Sequence, residues 1–325
     1  EMISTKIISV APMMDWTDTH CRYFLRLLNQ DIFLYTEMIT AEALLFGDKN
    51  NHLKFNEEEH PIALQLGGSD PDKMRQAAKM AADFGYDEIN LNIGCPSDRV
   101  QQGSFGACLM AKPDLVAECV NSIIDSVDIP VTVKTRIGID DLDSYDFLRH
   151  FVDRVVESGC NRFIIHARKA ILSGLSPKEN RTIPPLNYER VYRLKSDYKH
   201  LHISLNGGIN NLNDCKDHLA LLDGVMIGRF AYHQPWFLHE LKDLSSSCQK
   251  DHFSREDIVD KMCFYIESQM KLGVKLNHIT RHMLGLYSGQ PGARAWRRYL
   301  STHAHLEGAG IEVLQNAKKK LLLAA

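Results

Sequence analysis

Eight short apolar segments recur at strand length along the chain, and this repetition constrains the fold more than any other feature. They are rich in Ile, Val and Leu and span residues 7–11, 32–36, 62–66, 89–93, 131–135, 162–166, 202–206 and 224–228. Segments with helical spacing lie between several of them, and two of these helices open at Pro71 and Pro113. Strands that are almost wholly apolar and alternate with helices predict a parallel sheet covered on both faces.

Eight strand–helix repeats predict an α/β fold whose sheet closes into a (β/α)8 barrel, the TIM barrel. An open, doubly wound sheet is the alternative, but no G-x-G-x-x-G motif follows the first strand. After Trp236 the strand-like segments cease, and the rest of the chain has helical patterns punctuated by Pro and Gly. We therefore predict a barrel domain over residues 1–245 and a C-terminal helical domain over residues 246–325.

The composition is that of an ordinary globular protein, with 44% hydrophobic and 24% charged residues. No apolar run approaches the roughly 18 residues of a membrane helix, and the N-terminus lacks a basic-then-apolar leader. We therefore expect a cytoplasmic protein without a membrane partner, and nothing indicates an obligate protein partner. The eight cysteines are scattered without a C-x-x-C pair, which predicts reduced thiols and no metal site.

Charge is distributed unevenly along the chain. The net charge is −3, yet residues 250–325 carry twelve Lys and Arg against seven Asp and Glu, so that residues 1–249 carry −8. Phosphate backbones bind to clustered cations and not to average charge. An acidic body with a basic tail therefore indicates a nucleic-acid partner, and a solvated helical surface is the alternative.

Conspicuous residues follow nearly every predicted strand at its carboxyl end, where the active sites of barrels form. Each has an ordinary explanation by itself, such as a turn or a core histidine. Together they would leave many buried donors unpaired unless a ligand met them. They are Pro12, Met13, Met14, Gln65, Asn90, Asn92, Lys134, Arg136, His166, Arg168, Asn206, Gly207, Gly208, Gly228 and Arg229.

The chemistry of these residues predicts a phosphorylated ligand with a planar ring. Backbone N–H groups at 206–208 and 228–229 can form an anion nest, to which Arg229 adds a charge. Lys134 is placed to face a ring that becomes anionic, and Gln65 offers a donor and an acceptor to a ring edge. Flavin mononucleotide (FMN) fits this description. A sugar phosphate bound to Lys134 as a Schiff base is the alternative.

Seven motifs of the chain resemble those of the tRNA-dihydrouridine synthases, most closely the A subfamily. They are APMMDWTD, ALQLGGSDP, EINLNIGCPSDRVQ, VTVKTRIGIDD, FIIHARKA, GLSPKENR and NGGI, and they cover the predicted barrel. The resemblance implies an enzyme that binds FMN, takes electrons from NADPH and reduces uridine in the D-loop of tRNA to 5,6-dihydrouridine. The A subfamily implies positions 20 and 20a of the tRNA.

The resemblance assigns residues to the flavin one by one. Pro12, Met13 and Met14 match the segment whose backbone lies against the flavin, and Met14 stands where a leucine is expected. Three residues match contacts to the flavin ring: Gln65, Lys134 and His166. The phosphate cradle matches Asn206, Gly207, Gly208, Gly228 and Arg229. The barrel domain is thus expected to bind FMN and to carry the catalytic site.

Cys95 stands directly before Pro96, just after an apolar strand. Saturating the uracil C5–C6 bond requires a hydride at C6 and a proton at C5. A thiol is mostly protonated at neutral pH yet releases its proton readily, so it suits the task of general acid better than a hydroxyl. The resemblance assigns this role to Cys95, and it assigns Asn92 to the edge of the target uracil. Core packing and a strand-end turn are the respective alternatives.

The resemblance implies that the C-terminal helical domain and the loop after the sixth strand bind the tRNA. In the helical domain three arginines fall at i, i+3 and i+4 and share one helix face. No Asp or Glu lies between Glu267 and Glu307 to neutralise them. The expected tRNA contacts are Lys178, Arg181, Arg294, Arg297 and Arg298.

Two other classes of function remain open from the sequence. Flavin barrels that oxidise small molecules, such as the dihydroorotate dehydrogenases, share the predicted architecture and a loop cysteine, but the basic helical tail argues against them. A tRNA-folding protein that retains a flavin as a structural element is the non-catalytic alternative.

Overall fold

The computed structural model describes residues 6–244 and 253–324, and its first feature is a sheet of eight parallel strands. Sheet neighbours follow the order β1-β8-β7-β6-β5-β4-β3-β2. The strands are β1 (Ile7–Val10), β2 (Leu34–Thr40), β3 (Ile62–Gly67), β4 (Glu88–Ile93), β5 (Val131–Arg136), β6 (Arg162–His166), β7 (His202–Asn206) and β8 (Gly224–Ile227). The predicted (β/α)8 fold class is confirmed.

The sheet closes between β1 and β2 through Phe33, which pairs with Ser9 in a parallel bridge. The Phe33 N–H donates to the carbonyl of Ile8 at 2.9 Å, and the Phe33 carbonyl accepts from the Val10 N–H at 3.1 Å. Closure removes the two unpaired edges that an open sheet would expose.

The second strand differs from its predicted bounds, because it extends to Thr40 and not to residue 36. Its pairing with β3 shifts register between Tyr35 and Met38. At the shift the Thr36 hydroxyl accepts from the backbone N–H of Gln65 at 3.0 Å, in place of a ladder carbonyl. Thr36 and Glu37 therefore lie at an irregularity within the strand and not at its end.

Fifteen α-helices occur in the described residues. They are α1 (Thr19–Leu28), α2 (Ala41–Phe46), α3 (Lys49–Leu53), α4 (Pro71–Phe84), α5 (Asp98–Gln102), α6 (Pro113–Ile124), α7 (Tyr145–Glu157), α8 (Tyr188–Asp197), α9 (Leu212–Leu221), α10 (Arg229–His233), α11 (Phe237–Glu240), α12 (Arg255–Lys271), α13 (Leu276–Thr280), α14 (Ala293–His303) and α15 (Ile311–Leu323). None of the helices in the described part of the chain is long and apolar enough to cross a bilayer.

The predicted helix starts at proline are confirmed in α4 and α6. Pro71 begins α4 behind the N-cap residue Asp70, whose carboxylate accepts from the backbone N–H groups of Asp72 and Lys73. The buried face of α4 includes three alanines, whose small side chains allow a close approach to the sheet. Pro113 begins α6 behind Lys112, whose side chain makes no capping bond.

Apolar residues from several strands meet inside the barrel. The cluster packs Met13 and Phe33 against five buried residues, namely Ala11, Tyr35, Ala63, Ile164 and Met226. Polar residues are buried in the barrel as well, on β3, β4 and β5, and each has hydrogen-bond partners: Gln65, Glu88, Asn90 and Thr132. This interior is a packed core with a polar side and not a channel.

The chain forms two compact units, residues 1–14 with 33–228 and residues 15–32 with 229–325. The first unit holds the barrel strands. The second unit takes in α1, although α1 lies between β1 and β2 in sequence, because α1 packs against α11, α12 and α13. The predicted domain boundary at residues 245/246 lies outside the described residues, so the division into 1–245 and 246–325 stays a prediction.

The second unit is held together by polar bonds as well as by apolar packing. The carboxylate of Asp18, the N-cap of α1, lies 3.0 Å from Nε2 of the buried His282. The His20 ring bonds the Tyr265 hydroxyl at 2.7 Å, and the Asn29 amide donates to the carbonyl of Leu238 at 2.8 Å. The helical pattern predicted for the C-terminal region is confirmed by α12–α15.

Candidate active site at the carboxyl end of the barrel

Cys95 lies on the loop that follows β4, and its position is held through the backbone. The Asn92 side-chain oxygen accepts from the N–H groups of Gly94 and Cys95 at 3.0 and 2.9 Å. The Cys95 carbonyl accepts from the N–H of Ala107 at 2.9 Å. The Cys95 thiol is part-exposed and lies 3.5 Å from Oγ of Ser97. The loop is thus held in place around a cysteine that is only partly buried.

A side-chain amide joins this loop to the loop that follows β6. Nε2 of Gln101, on α5, donates to the carbonyl of Pro96 at 2.9 Å and to that of Leu172 at 2.6 Å. Both N–H bonds of one amide group are used, so Gln101 links the two loops directly. We name this contact the Gln101 tie.

Four cations surround the end of β5 and β6. Arg136 is buried and donates from Nε to the carbonyl of Gly94 at 3.0 Å and from Nη1 to that of Asn180 at 2.9 Å. The charges of Arg136, Lys134, Arg168 and Arg181 all act on the His166 ring and lower its pKa, in addition to burial. Like charges held this close together favour an anionic ligand.

His166 is buried, and its pKa lies well below the ordinary value, chiefly because burial disfavours the imidazolium. Its Nδ1 accepts from the backbone N–H of Arg168 at 3.2 Å. In the neutral ring Nε2 must then carry the proton. His166 is therefore a hydrogen-bond donor at Nε2.

Lys134 has a pKa lowered to about 7, first by burial and then by the neighbouring charge of Arg136. A negative charge on Cys95 would act on Lys134 in the opposite direction. The amine and the thiol are therefore close enough to influence each other, as are Arg136 and Cys95. Around neutral pH Lys134 is divided between its charged and neutral forms, and an adjacent negative charge would favour the charged one.

The side chains of Gln65 and Asn92 are hydrogen-bonded to each other, which leaves each amide with fewer donors and acceptors for a ligand. The Gln65 oxygen accepts from Asn92 Nδ2 at 3.0 Å, and Gln65 Nε2 donates to Asn90 at 2.8 Å. The Asn92 oxygen already accepts two backbone bonds, which fills both of its lone pairs. If Asn92 meets the edge of the uracil as expected, it has one N–H left to donate to a carbonyl and no oxygen lone pair left to accept from N3–H.

A glycine turn follows β7 where the anion nest was predicted. Gly207 and Gly208 have φ angles of 116° and 71°, and a Cβ on Gly208 would lie 2.6 Å from Leu186 and 2.8 Å from the Tyr188 hydroxyl. The Tyr188 hydroxyl donates to the carbonyl of Gly207 at 2.7 Å. The positive φ angles and the close approach of Leu186 and Tyr188 require glycine at this turn. Its binding of an anion stays a prediction.

The other predicted cradle residues lie on β7 and β8. Asn206 ends β7, and its amide donates to the carbonyl of Met226 at 2.9 Å. Gly228 follows β8, and a Cβ there would have nothing nearer than 4.0 Å. Arg229 begins α10 and belongs to the second unit. Its expected contact with a phosphate stays a prediction.

The segment after β1 divides between core and surface. Pro12 and Met13 are half-buried, and Met13 packs against the cluster inside the barrel. Met14 has 58% of its surface exposed. Met13 therefore packs inside the barrel and Met14 lies at the surface. The expected contact of the backbone of this segment with a flavin stays a prediction.

The predicted tRNA contacts are all exposed. Lys178 precedes and Arg181 ends a 3-10 helix in the loop after β6, and the charge of Arg181 also reaches Lys134. Three arginines lie on α14, whose buried face is formed by Trp296 and Leu300. They are Arg294, Arg297 and Arg298.

Several residues of the site had only a weak signal in the sequence. Arg136 and Arg168 stand at strand ends, but nothing in the sequence shows that they meet the other cations. Asn90 lies on the same face of β4 as Asn92, a pattern that the alternation of strand residues makes available. The Gln101 tie joins residues 71 positions apart, and sequence spacing gives no indication of it.

The fold and the rim together define a β/α-barrel enzyme with a loop thiol beside a cluster of cations. The sequence model described as dihydrouridine synthase (Dus) matches residues 9–322. The chain belongs to the dihydrouridine synthase family, as the motifs predicted, and is an oxidoreductase of that family.

Relatives of high identity are named tRNA-dihydrouridine(20/20a) synthase. The chain is 60% identical to that of Shewanella oneidensis over 312 residues, covering 96% of this chain and 93% of the relative. It is 59% identical to that of Vibrio vulnificus over 315 residues, covering 97% and 96%. It is 59% identical to that of Escherichia coli K12 over 313 residues, covering 96% and 90%.

Solved structures with the same fold are more distant in sequence. The 2-naphthoyl-CoA reductase complex with 2-naphthoyl-CoA has a TM-score of 0.55 and 11% identity, covering 73% of this chain and 50% of that one. An old yellow enzyme homologue from Zymomonas mobilis has a TM-score of 0.51 and 12% identity, covering 77% and 91%. At this identity the comparison supports the barrel fold alone.

Proposed function

We propose that this protein reduces uridine to 5,6-dihydrouridine in the D-loop of tRNA, at positions 20 and 20a. Its family membership and the names of relatives at about 60% identity support this reaction and these positions. The observation that carries the proposal is the Cys95 thiol on a fixed loop beside Lys134 and Arg136. Such a thiol suits proton transfer to a carbon where negative charge builds up.

FMN is the cofactor that the cationic rim fits best. Its phosphate would lie at the turn of the positive-φ glycines Gly207 and Gly208, with Gly228 and Arg229 as further expected contacts. The ring edge would meet Gln65, Lys134 and the Nε2–H of His166, which provide donors and a titratable cation. FMN supplies the hydride for C6 of the uracil, with NADPH as the electron donor.

The protein's own residues then have distinct tasks. Cys95 holds the proton for C5 of the uracil, and Asn92 donates one N–H to a uracil carbonyl, which orients the ring without recognising N3–H. Lys134 stabilises negative charge that develops on the neighbouring ring, because its pKa of about 7 leaves it able to take up a proton.

The target base must leave the tRNA stack to reach the rim. Extrusion of a base costs a few kcal/mol, and phosphate contacts elsewhere offset it. We assign those contacts to Arg294, Arg297 and Arg298 on α14 and to Lys178 and Arg181 after β6. A cytoplasmic location and the absence of an obligate protein partner stay predictions.

Stepwise spectroscopy tests the proposed reaction. The purified protein, supplemented with FMN, is reduced with NADPH without oxygen, and unmodified tRNA is then added. Bleaching of the flavin band followed by its return with tRNA is the expected result. Return of the band with free uridine as fast as with tRNA would favour a small-molecule flavin enzyme. Failure to bind FMN would favour the sugar-phosphate alternative.

Replacing Cys95 by Ala tests the general acid. Dihydrouridine formation should fall by about 10²–10⁴, the usual contribution of a positioned acid, while FMN binding and its reduction by NADPH remain. Cys108→Ala is the matched control, because Cys108 is also part-exposed and follows the same strand, but its thiol bonds the carbonyl of Phe105. Equal activity of Cys95→Ala and wild type would remove Cys95 from the mechanism.

A further inference from the structure

A chain of side-chain hydrogen bonds runs through the barrel from Glu88 to the Cys95 loop. Thr132 Oγ1 donates to Glu88 Oε2 at 3.0 Å and accepts from Asn90 Nδ2 at 2.8 Å. Asn90 Oδ1 accepts from Gln65 Nε2 at 2.8 Å, and Gln65 Oε1 accepts from Asn92 Nδ2 at 3.0 Å. We name this chain the barrel relay.

Strand register explains why these residues meet. Gln65 on β3, Asn90 on β4 and Thr132 on β5 are paired side by side across the sheet. Glu88, Asn90 and Asn92 alternate along β4 and therefore project from one face of the strand. The barrel relay thus connects the amino end of β4 with the loop at its carboxyl end.

Both ends of the relay have a fixed polarity. At the lower end Glu88 pairs with Arg162 at 2.9 Å and accepts from the Tyr35 hydroxyl at 3.1 Å. Burial raises the pKa of Glu88, whereas Arg162, Thr132 and Tyr35 oppose the rise and favour an acceptor carboxylate. At the upper end the backbone N–H groups of Gly94 and Cys95 can only donate, so Asn92 must present its oxygen to them.

The two ends demand the same orientation of every amide between them. An ionised Glu88 obliges Thr132 to donate downward, and Thr132 then accepts from Asn90 Nδ2. This leaves the Asn90 oxygen for Gln65 and the Gln65 oxygen for Asn92. All hydrogen bonds of the relay are satisfied in one direction and not in the other. The relay therefore has a single low-energy arrangement, because four of its members are at most 1% exposed and an unpaired polar group there would lower the stability of the fold.

We propose that Glu88 and Thr132 are positioning residues, which act through Asn90, Gln65 and Asn92 to hold the backbone of Gly94 and Cys95 and thereby the catalytic thiol. Neither residue touches the thiol. The effect of Glu88 and Thr132 on catalysis rests on the proposed function, whereas their effect on the Cys95 backbone is independent of it.

The alternative is that the barrel relay only contributes to the stability of the core. The two roles predict different sites for the structural effect of a lost hydrogen bond. A positioning role predicts a local effect at Gly94 and Cys95, carried along the relay. A purely structural role predicts that any lost bond to Glu88 has the same consequence.

Thr132→Val tests the proposal, because valine has nearly the shape of threonine but lacks the hydroxyl. Asn90 Nδ2 then loses its acceptor in a buried place. Hydrogen exchange of the Gly94 and Cys95 amides should accelerate about tenfold, the effect expected from loss of one buried hydrogen bond. Uridine reduction by the pre-reduced enzyme should slow by a similar factor, with the affinity for tRNA unchanged.

Two variants serve as controls. Thr132→Ser keeps the hydroxyl and should restore both the exchange rate and the reduction rate. Tyr35→Phe removes a different bond to the same carboxylate and leaves every link of the barrel relay in place. Should Thr132→Val fail to fold, Glu88→Gln takes its place. The NH₂ group of the new glutamine must face either Arg162 or Thr132, so that one of these two bonds is lost or reversed.

The outcomes separate the hypotheses. Faster exchange in Thr132→Val but not in Thr132→Ser or Tyr35→Phe supports positioning. Unchanged exchange, or equal acceleration in Thr132→Val and Tyr35→Phe, overturns it. If the wild type reduces no uridine in tRNA, the proposed function fails, and the exchange comparison still decides whether the relay positions the Cys95 backbone.

Discussion

At the scale of single residues, the burial of Lys134 lowers the free energy of unfolding. Its pKa falls from 10.5 in an ordinary lysine to about 7, mainly through burial. The unfolded chain therefore binds more protons than the folded one between about pH 7 and pH 10.5, so this lysine makes the unfolding free energy rise with pH across that window. Below the window both states are protonated, and the destabilisation by Lys134 is complete.

Lys134→Met should accordingly stabilise the flavin-free protein at pH 7, and the gain should shrink by pH 9. Urea unfolding of wild type and variant at several pH values measures the difference. Lys216→Met, on the exposed side of α9, controls for loss of a positive charge at the surface. A stability difference that is the same at pH 7 and pH 9 would contradict the assigned cause.

The sequence predicted which residues lie at the carboxyl rim of the barrel better than it predicted their hydrogen bonds. Gln65, Lys134 and His166 could be found because the carboxyl ends of parallel strands meet at one rim. Their chemistry depends on neighbours that are distant in sequence, as when Asn92 gives its oxygen to the backbone and keeps only a donor. Such long-range pairing follows from the register of strands, which composition and spacing do not determine.

At the scale of elements, α14 depends on how its first turn meets α15. Gly292 precedes α14 with a φ angle of 79°, and a Cβ there would lie 2.3 Å from the carbonyl oxygen of Leu321. Trp296 anchors the same helix, because it is fully buried and its Nε1–H donates to the carbonyl of Met283 at 3.1 Å.

Gly292→Ala should therefore lower the unfolding temperature more than Gly308→Ala. Gly308 has a similar φ angle of 75°, but its added Cβ would meet nothing within 4 Å. We expect the backbone strain of about 1–3 kcal/mol in both variants and a further loss from the clash in Gly292→Ala alone. Thermal unfolding of the two variants side by side measures it, and equal shifts would disprove the clash.

Some helices and strands could be predicted from sequence patterns alone. Prolines at the starts of α4 and α6 and the apolar strands were read correctly, because capping and burial act locally. The membership of α1 in the second unit was not foreseen. It depends on bonds such as that between His20 and Tyr265, which are 245 positions apart.

At the scale of the whole molecule, charge separates along the chain into an acidic larger part and a basic C-terminal part. An acidic surface repels tRNA, so the affinity must come from local cations. The arginines of α14 are three such cations on one exposed face. The proposed function therefore predicts tRNA binding that weakens steeply with salt.

The double variant Arg294→Ala/Arg297→Ala should weaken tRNA binding and reduce the slope of log K against log salt concentration by about 1–2, the effect of two lost phosphate contacts. NADPH oxidation should be unchanged. Lys199→Ala/Lys216→Ala removes the same charge from the exposed surface of the barrel unit and should leave the slope as it is. Equal slopes for all three proteins would mean that α14 does not meet the tRNA.

The Gln101 tie has a mechanical consequence. One amide group donates to the carbonyls of Pro96 and Leu172. The loop that carries Cys95 is therefore hydrogen-bonded, through Gln101, to the loop that carries Lys178 and Arg181. A force that pulls on the second loop is transmitted to the first through two hydrogen bonds. If tRNA binds at Lys178 and Arg181 as proposed, the position of the Cys95 loop would therefore depend on that contact.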